Sequence, residues 1–140
     1  MGLPETLKTK PITGEEFFKM GDIGRCELVR GEVIHMSPAG WRHGEIAHKI
    51  AQYVSIHADE NKLGEVSAAE TGFYVQRNPD TVRAPDAMFV SNERVAQIGD
   101  PVKFLDVAPD LAIEVLSPDD TWMQVETKVE EYFQAGVPLI

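Results

Sequence analysis

Two acidic residues stand where the surrounding chain is apolar. Glu114 interrupts the run Leu111-Ala112-Ile113-x-Val115-Leu116. An ionised carboxylate buried alone in such a run is costly, so a cation is expected beside it. Asp86 poses the same problem: it follows Pro85 and precedes Ala87-Met88-Phe89-Val90. The two lie 28 positions apart, room for one strand to end and a neighbouring strand to return. Two acids on adjacent strands chelate one hard divalent ion, and magnesium takes one or two carboxylates together with waters and phosphate oxygens. Such an ion activates water and stabilises charge on a phosphoryl group. The alternative is a buried salt bridge, for example to Arg83 or Lys128.

Other chemistry is weaker or missing. His43 falls at a helix start after Gly40-Trp41-Arg42, where Arg42 and the helix N-terminus can receive a phosphate; capping or packing is the plainer role. His35, His48 and His57 read as surface or packing residues. No pair has zinc-site spacing, and the single Cys26 builds neither a structural zinc site nor an internal disulfide. It reads as a small buried hydrophobe. There is no Gly-x-x-x-x-Gly-Lys phosphate loop and no Gly-x-Ser-x-Gly elbow. Trp41 and Trp122 can stack on bases, although such residues more often pack.

The elements that must position these side chains follow from periodicity. Residues 1–12, with Pro4 and Pro11, form an arm, mobile or draped. Thr13 and Glu16 make a capping box for a short helix carrying Phe17, Phe18 and Met20. Cys26–Val29 and Glu32–Met36 form a hairpin around Arg30-Gly31. Ile46, Ile50, Tyr53, Val54 and Ala58 recur at helical spacing over residues 43–59. A strand is expected within residues 65–76, another over Val82–Val90, and a central strand, buried on both faces, over Leu111–Leu116. A final helix ends at Ala135 with Gly136 as its cap, and Val137–Ile140 starts another strand. The order predicts one α/β domain over residues 13–140, a mixed sheet flanked by helices.

Composition sets the outer bounds. The 140 residues suffice for one core. No apolar run approaches the ~18 residues of a membrane span, and the first ten residues lack a signal-peptide core. A cytoplasmic protein without membrane association is expected. The net charge of -10, from 13 basic and 23 acidic residues, argues against a protein that coats nucleic acid through a basic face. It leaves room for a local basic strip and a carboxylate metal site.

Several motifs now line up. Arg25-Cys26-Glu27-Leu28-Val29-Arg30-Gly31-Glu32 is followed by Glu70-Thr71-Gly72-Phe73 and Arg83-Ala84-Pro85-Asp86. Then come Pro109-Asp110-Leu111-x-x-Glu114-Val115-Leu116-Ser117-Pro118 and Lys128-x-x-x-Tyr132-x-x-x-Gly136-Val137. Together they resemble the putative restriction endonuclease group (the Uma2-like domain of unknown function) of the PD-(D/E)XK nuclease superfamily. The resemblance covers residues 13–140.

That resemblance implies a restriction-endonuclease-like fold, and a metal-dependent endonuclease that hydrolyses DNA phosphodiester bonds with Mg2+ or Mn2+. It makes Asp86 and Glu114 the metal carboxylates. The usual lysine position holds Leu116, so Lys128 becomes the candidate replacement. Lys128 shares one side of its helix with Glu131 and Tyr132; an ion pair with Glu131 is its other reading. Glu27 is a candidate additional acid, and Glu70 a further ligand or water-orienting group beside Gly72. Relatives continue past Gly136-Val137, so a sheet that stops at Ile140 leaves an edge open, and a homo-oligomer is expected. The competing reading is a catalytically silent module for nucleic-acid binding or protein assembly.

Overall fold

The computed structural model describes residues 9–140. Most of the arm expected over residues 1–12 lies outside them. Its described end drapes over the hairpin, where the Ile12 N–H donates to the Gly31 carbonyl at 2.9 Å.

Helix α1 (Gly14–Lys19) opens with the expected capping box between Thr13 and Glu16. The buried Asp80 carboxylate also takes the Gly14 N–H, at 2.7 Å. Strands β1 (Cys26–Val29) and β2 (Glu32–His35) pair antiparallel through a turn in which Arg30 and Gly31 have φ of 47° and 77°. Two successive positive φ values are the signature of a type I′ turn, which matches the twist of a two-stranded ribbon. Helix α2 (Trp41–Glu60) lies against two strands of the second sheet. Its inward stripe is Ile46, Ile50, Val54 and Ala58; Tyr53, expected to belong to it, is 72% exposed.

Two of the expected strands are each a pair. The stretch 65–76 divides into β3 (Gly64–Ala68) and β4 (Phe73–Gln76), separated by Ala69 and Glu70 at φ of 54° and 65°. The stretch Val82–Val90 divides into β5 (Thr81–Arg83) and β6 (Ala87–Ser91). Pro85, fully buried, has no N–H for a ladder, and here the chain leaves one sheet for another. Alternation alone does not reveal such a transfer, because both halves are buried.

After the one-turn α3 (Asn92–Val95) comes β7 (Leu111–Ile113), shorter than the expected Leu111–Leu116. The Val115 N–H, which would have continued the ladder, donates instead to the Asp86 carboxylate at 2.7 Å. Helix α4 (Trp122–Gln134) follows, capped by a second box between Thr121 and Gln124.

The strands form a four-stranded antiparallel sheet, β2-β1-β5-β4, and a three-stranded one, β3-β6-β7. β7 is nevertheless central. It pairs antiparallel with β6 on one side, and on the other Leu111 bridges in parallel to Leu139, with the Ala112 N–H donating to the Leu139 carbonyl at 3.0 Å. The α/β class and the mixed pairing expected from the sequence are therefore both present. One core joins the sheets, bringing Phe73 from β4 together with Met88, Val90 and Ala112 and with Tyr132 of α4. A smaller core packs Phe17 on Leu28 and Val82.

Candidate active site

The register of β6 and β7 brings the two anomalous acids together. Ala87 pairs with Ile113, Met88 with Ala112 and Phe89 with Leu111. The ladder ends at that first pair; the Asp86 N–H still donates to the Ile113 carbonyl at 3.0 Å, the Asp86 carboxylate takes the Val115 N–H, and the Asp86 charge acts on Glu114, so the two acids are neighbours. The acids thus sit at adjoining strand ends rather than within strands, where the ladder opens and side chains can reach out.

Each carboxylate has one oxygen held by the protein. Asp86 Oδ2 accepts from the Val115 N–H, while Oδ1 lies 3.4 Å from His43 Nε2, a contact that becomes an ion pair when the ring is protonated. Glu114 Oε1 accepts a short hydrogen bond from the Tyr132 hydroxyl, while Oε2 lies 3.7 Å from Lys128 Nζ. Burial raises the Glu114 carboxyl above its ordinary range; Lys128 and the Tyr132 hydrogen bond pull it down, and Asp86 and Glu27 add to the rise. Burial, then the charge of Glu114, hold the Tyr132 phenol well above its ordinary value, so it stays a donor.

Glu27, 3% exposed on β1, links this pair to a second group. Its Oε1 lies 3.4 Å from Lys128 Nζ and its Oε2 3.5 Å from Arg83 Nη1. Arg83 in turn forms a fork with Glu131, Nε to Oε2 at 2.9 Å and Nη2 to Oε1 at 3.1 Å. Burial works against the Arg83 charge, but the acceptors Glu131 and Glu27 outweigh it and raise its pKa. Glu27, Arg83, Glu114 and Lys128 line a cleft of about 490 Å³.

The cluster is not neutralised from within. Glu27, Asp86, Glu114 and Glu131 face two side-chain cations, Arg83 and Lys128, with the His43 ring beside Asp86. Among the described residues no group of three or more His, Cys, Asp or Glu side chains is arranged to hold a metal ion. Two carboxylates in a cluster with more acids than cations suit an ion that keeps several waters, as magnesium does.

A family model described as putative restriction endonuclease (Uma2) matches residues 15–140. The chain belongs to this family. A crystal structure of a putative nuclease belonging to DUF820, from Anabaena variabilis, superposes on this family member with a TM-score of 0.71. The match covers 91% of this chain and 70% of that one at 20% identity, a likeness that shows the restriction-endonuclease-like fold. Two adenylate kinases from strains of Xanthomonas oryzae pv. oryzae are 25% identical over the whole of this chain and 81% of theirs. This Uma2 chain has no Gly-x-x-x-x-Gly-Lys loop to cradle nucleotide phosphates.

Of the residues singled out in the sequence, Asp86, Glu114, Lys128, Glu27 and His43 come together. Two do not join them. Glu70 is 59% exposed on its turn and contacts Arg25 at 3.5 Å, because the positive-φ break after β3 carries it to the surface. Arg42 is exposed on the first turn of α2, beside His43. Lys128 meets Glu27 and Glu114, whereas Glu131 takes Arg83. Sequence reasoning missed the Val115 amide altogether. It placed Tyr132 beside Lys128 on the helix but gave it no task, although that spacing already pointed both side chains one way. No helix of the described residues is long and apolar enough to cross a membrane.

Proposed function

We propose that this chain is a metal-dependent endonuclease acting on DNA. The observation that carries the reading is the adjacency of Asp86 and Glu114 at the joined ends of β6 and β7, in a cluster of four acids facing two side-chain cations, Arg83 and Lys128. Asp86 and Glu114 would hold Mg2+ or Mn2+. When bound, the ion supplies Lewis acidity toward a phosphoryl oxygen and lowers the pKa of a coordinated water.

The chain's own residues do the rest. Lys128, on the cleft wall, orients the attacking water or meets charge on the scissile phosphate. It takes this part from a helix because Leu116 fills the strand position. Glu27 holds the ammonium at the site between substrates and, through Arg83 and Glu131, ties it to β5. His43, beside Asp86 on the first turn of α2, faces the incoming phosphate, with Arg42 next to it. Asp86→Asn or Glu114→Gln should abolish metal-dependent nicking of plasmid DNA while the circular dichroism spectrum is unchanged. Cutting by both variants at the wild-type rate removes this site from consideration.

One observation favours a silent module instead: Lys128 Nζ sits nearer Glu27, at 3.4 Å, than Glu114, at 3.7 Å. Titration calorimetry with manganese separates the readings. The nuclease requires heat that vanishes in Asp86→Asn; the silent module gives none.

A further inference from the structure

Resting on the nuclease reading, we propose that the substrate is an unpaired strand of DNA, whose bases stack on Trp41 and Trp122 while one nucleotide enters the cleft beside Glu114. These two are the chain's only tryptophans. Neither packs: Trp41 is 87% exposed and Trp122 75%. Each begins a helix that serves the site. Trp41 opens α2 two residues before His43, which touches Asp86. Trp122 opens α4, where its neighbour Met123 lines the cleft together with Lys128. The acid pair thus has an exposed indole at the start of each helix that touches it.

The cleft has the same character. Besides its charged groups it is walled by Ile34, Leu116 and Met123, all exposed apolar side chains. Its volume of about 490 Å³ falls in the range of about 300–1,000 Å³ that holds a small organic ligand, and a single nucleotide is one.

A duplex hides its base faces in the stack and offers a protein its sugar–phosphate exterior and groove edges. Proteins hold that exterior with Lys and Arg that neutralise many phosphates. Here Arg83 is engaged by Glu131 and Glu27, Lys128 sits between Glu27 and Glu114, and the chain carries a net charge of -10. An unpaired strand brings fewer phosphates, and each of its bases has a π-face that stacks on an aromatic ring whatever the base. Exposed indoles and an apolar wall match that strand and give a duplex little to hold.

The test uses the full chain with manganese. All tryptophan emission comes from these two rings. Mixing with an oligothymidine in a stopped-flow fluorimeter, read before turnover, should quench it, and the same strand annealed to its complement should not. Binding of a labelled oligothymidine, read by anisotropy on the same timescale, should weaken about tenfold in each of Trp41→Ala and Trp122→Ala, the size expected for losing one base–aromatic stack. Both side chains are exposed, so urea midpoints should match wild type. Duplex bound as tightly as single strand, or single-strand affinity unchanged in both variants, overturns this inference; manganese heat that vanishes in Asp86→Asn then still upholds the nuclease reading. A wild type that self-associates, and that both variants turn into a monomer at unchanged single-strand affinity, gives the rings to a second copy and overturns it too. Absence of manganese heat in wild type overturns the nuclease reading and this inference with it.

Discussion

Glu114 carries a proton more readily in the fold than in the open chain, since burial raises its carboxyl above the ordinary 4.5. The folded state therefore binds that proton more tightly. The resulting stability is present at acid pH and is lost as pH rises through the folded pKa. Wild type should lose stability relative to Glu114→Gln on going from acid to neutral pH without metal, as read by urea midpoints at a series of pH values. Excess manganese, which needs the ionised carboxyl, should reverse the trend in wild type alone. The oddity of an acid at this position was legible in the sequence. The hydrogen bonds to these carboxylates were not, because a backbone amide carries no mark of its partner, and the spacing that sets Tyr132 beside Lys128 does not say which acid its hydroxyl meets.

Helix α4 acts as an element through a single face. Lys128, Glu131 and Tyr132 reach, respectively, β1 through Glu27, β5 through Arg83, and the end of β7 through Glu114. Removing Arg83 should strand Glu131 and half of the deeply buried Glu27. Arg83→Met is expected to lower unfolding stability by about 3 kcal/mol in urea titrations, within the range for breaking one half of a buried ion pair. The double variant Arg83→Met/Glu131→Leu should recover part of that loss. Helical spacing announced this face before any coordinates, and the hairpin turn and the Thr13–Glu16 capping box were equally plain, since each depends on neighbours in sequence; the second box, Thr121 with Gln124, went unread. The splitting of Val82–Val90 was hidden for the opposite reason. Pro85 signals a broken ladder, but which sheet each half joins is decided by partners far along the chain.

The whole molecule carries a net charge of -10, which repels a polyanion. DNA binding is therefore expected to require divalent ions, measured by fluorescence anisotropy with and without chelator. Metal binding should also stabilise the fold by mass action. At about a hundred times its dissociation constant, manganese adds about 2.7 kcal/mol, visible as a rise in Tm that Asp86→Asn lacks.

The three residues 84–86 hand the chain from the four-stranded sheet to the three-stranded one. An ion gripping Asp86 and Glu114 would pin together the ends of β6 and β7, beside the place where the chain crosses between sheets. Emptied of metal, those two strand ends should fray, with faster deuterium uptake at the Asp86 and Val115 amides.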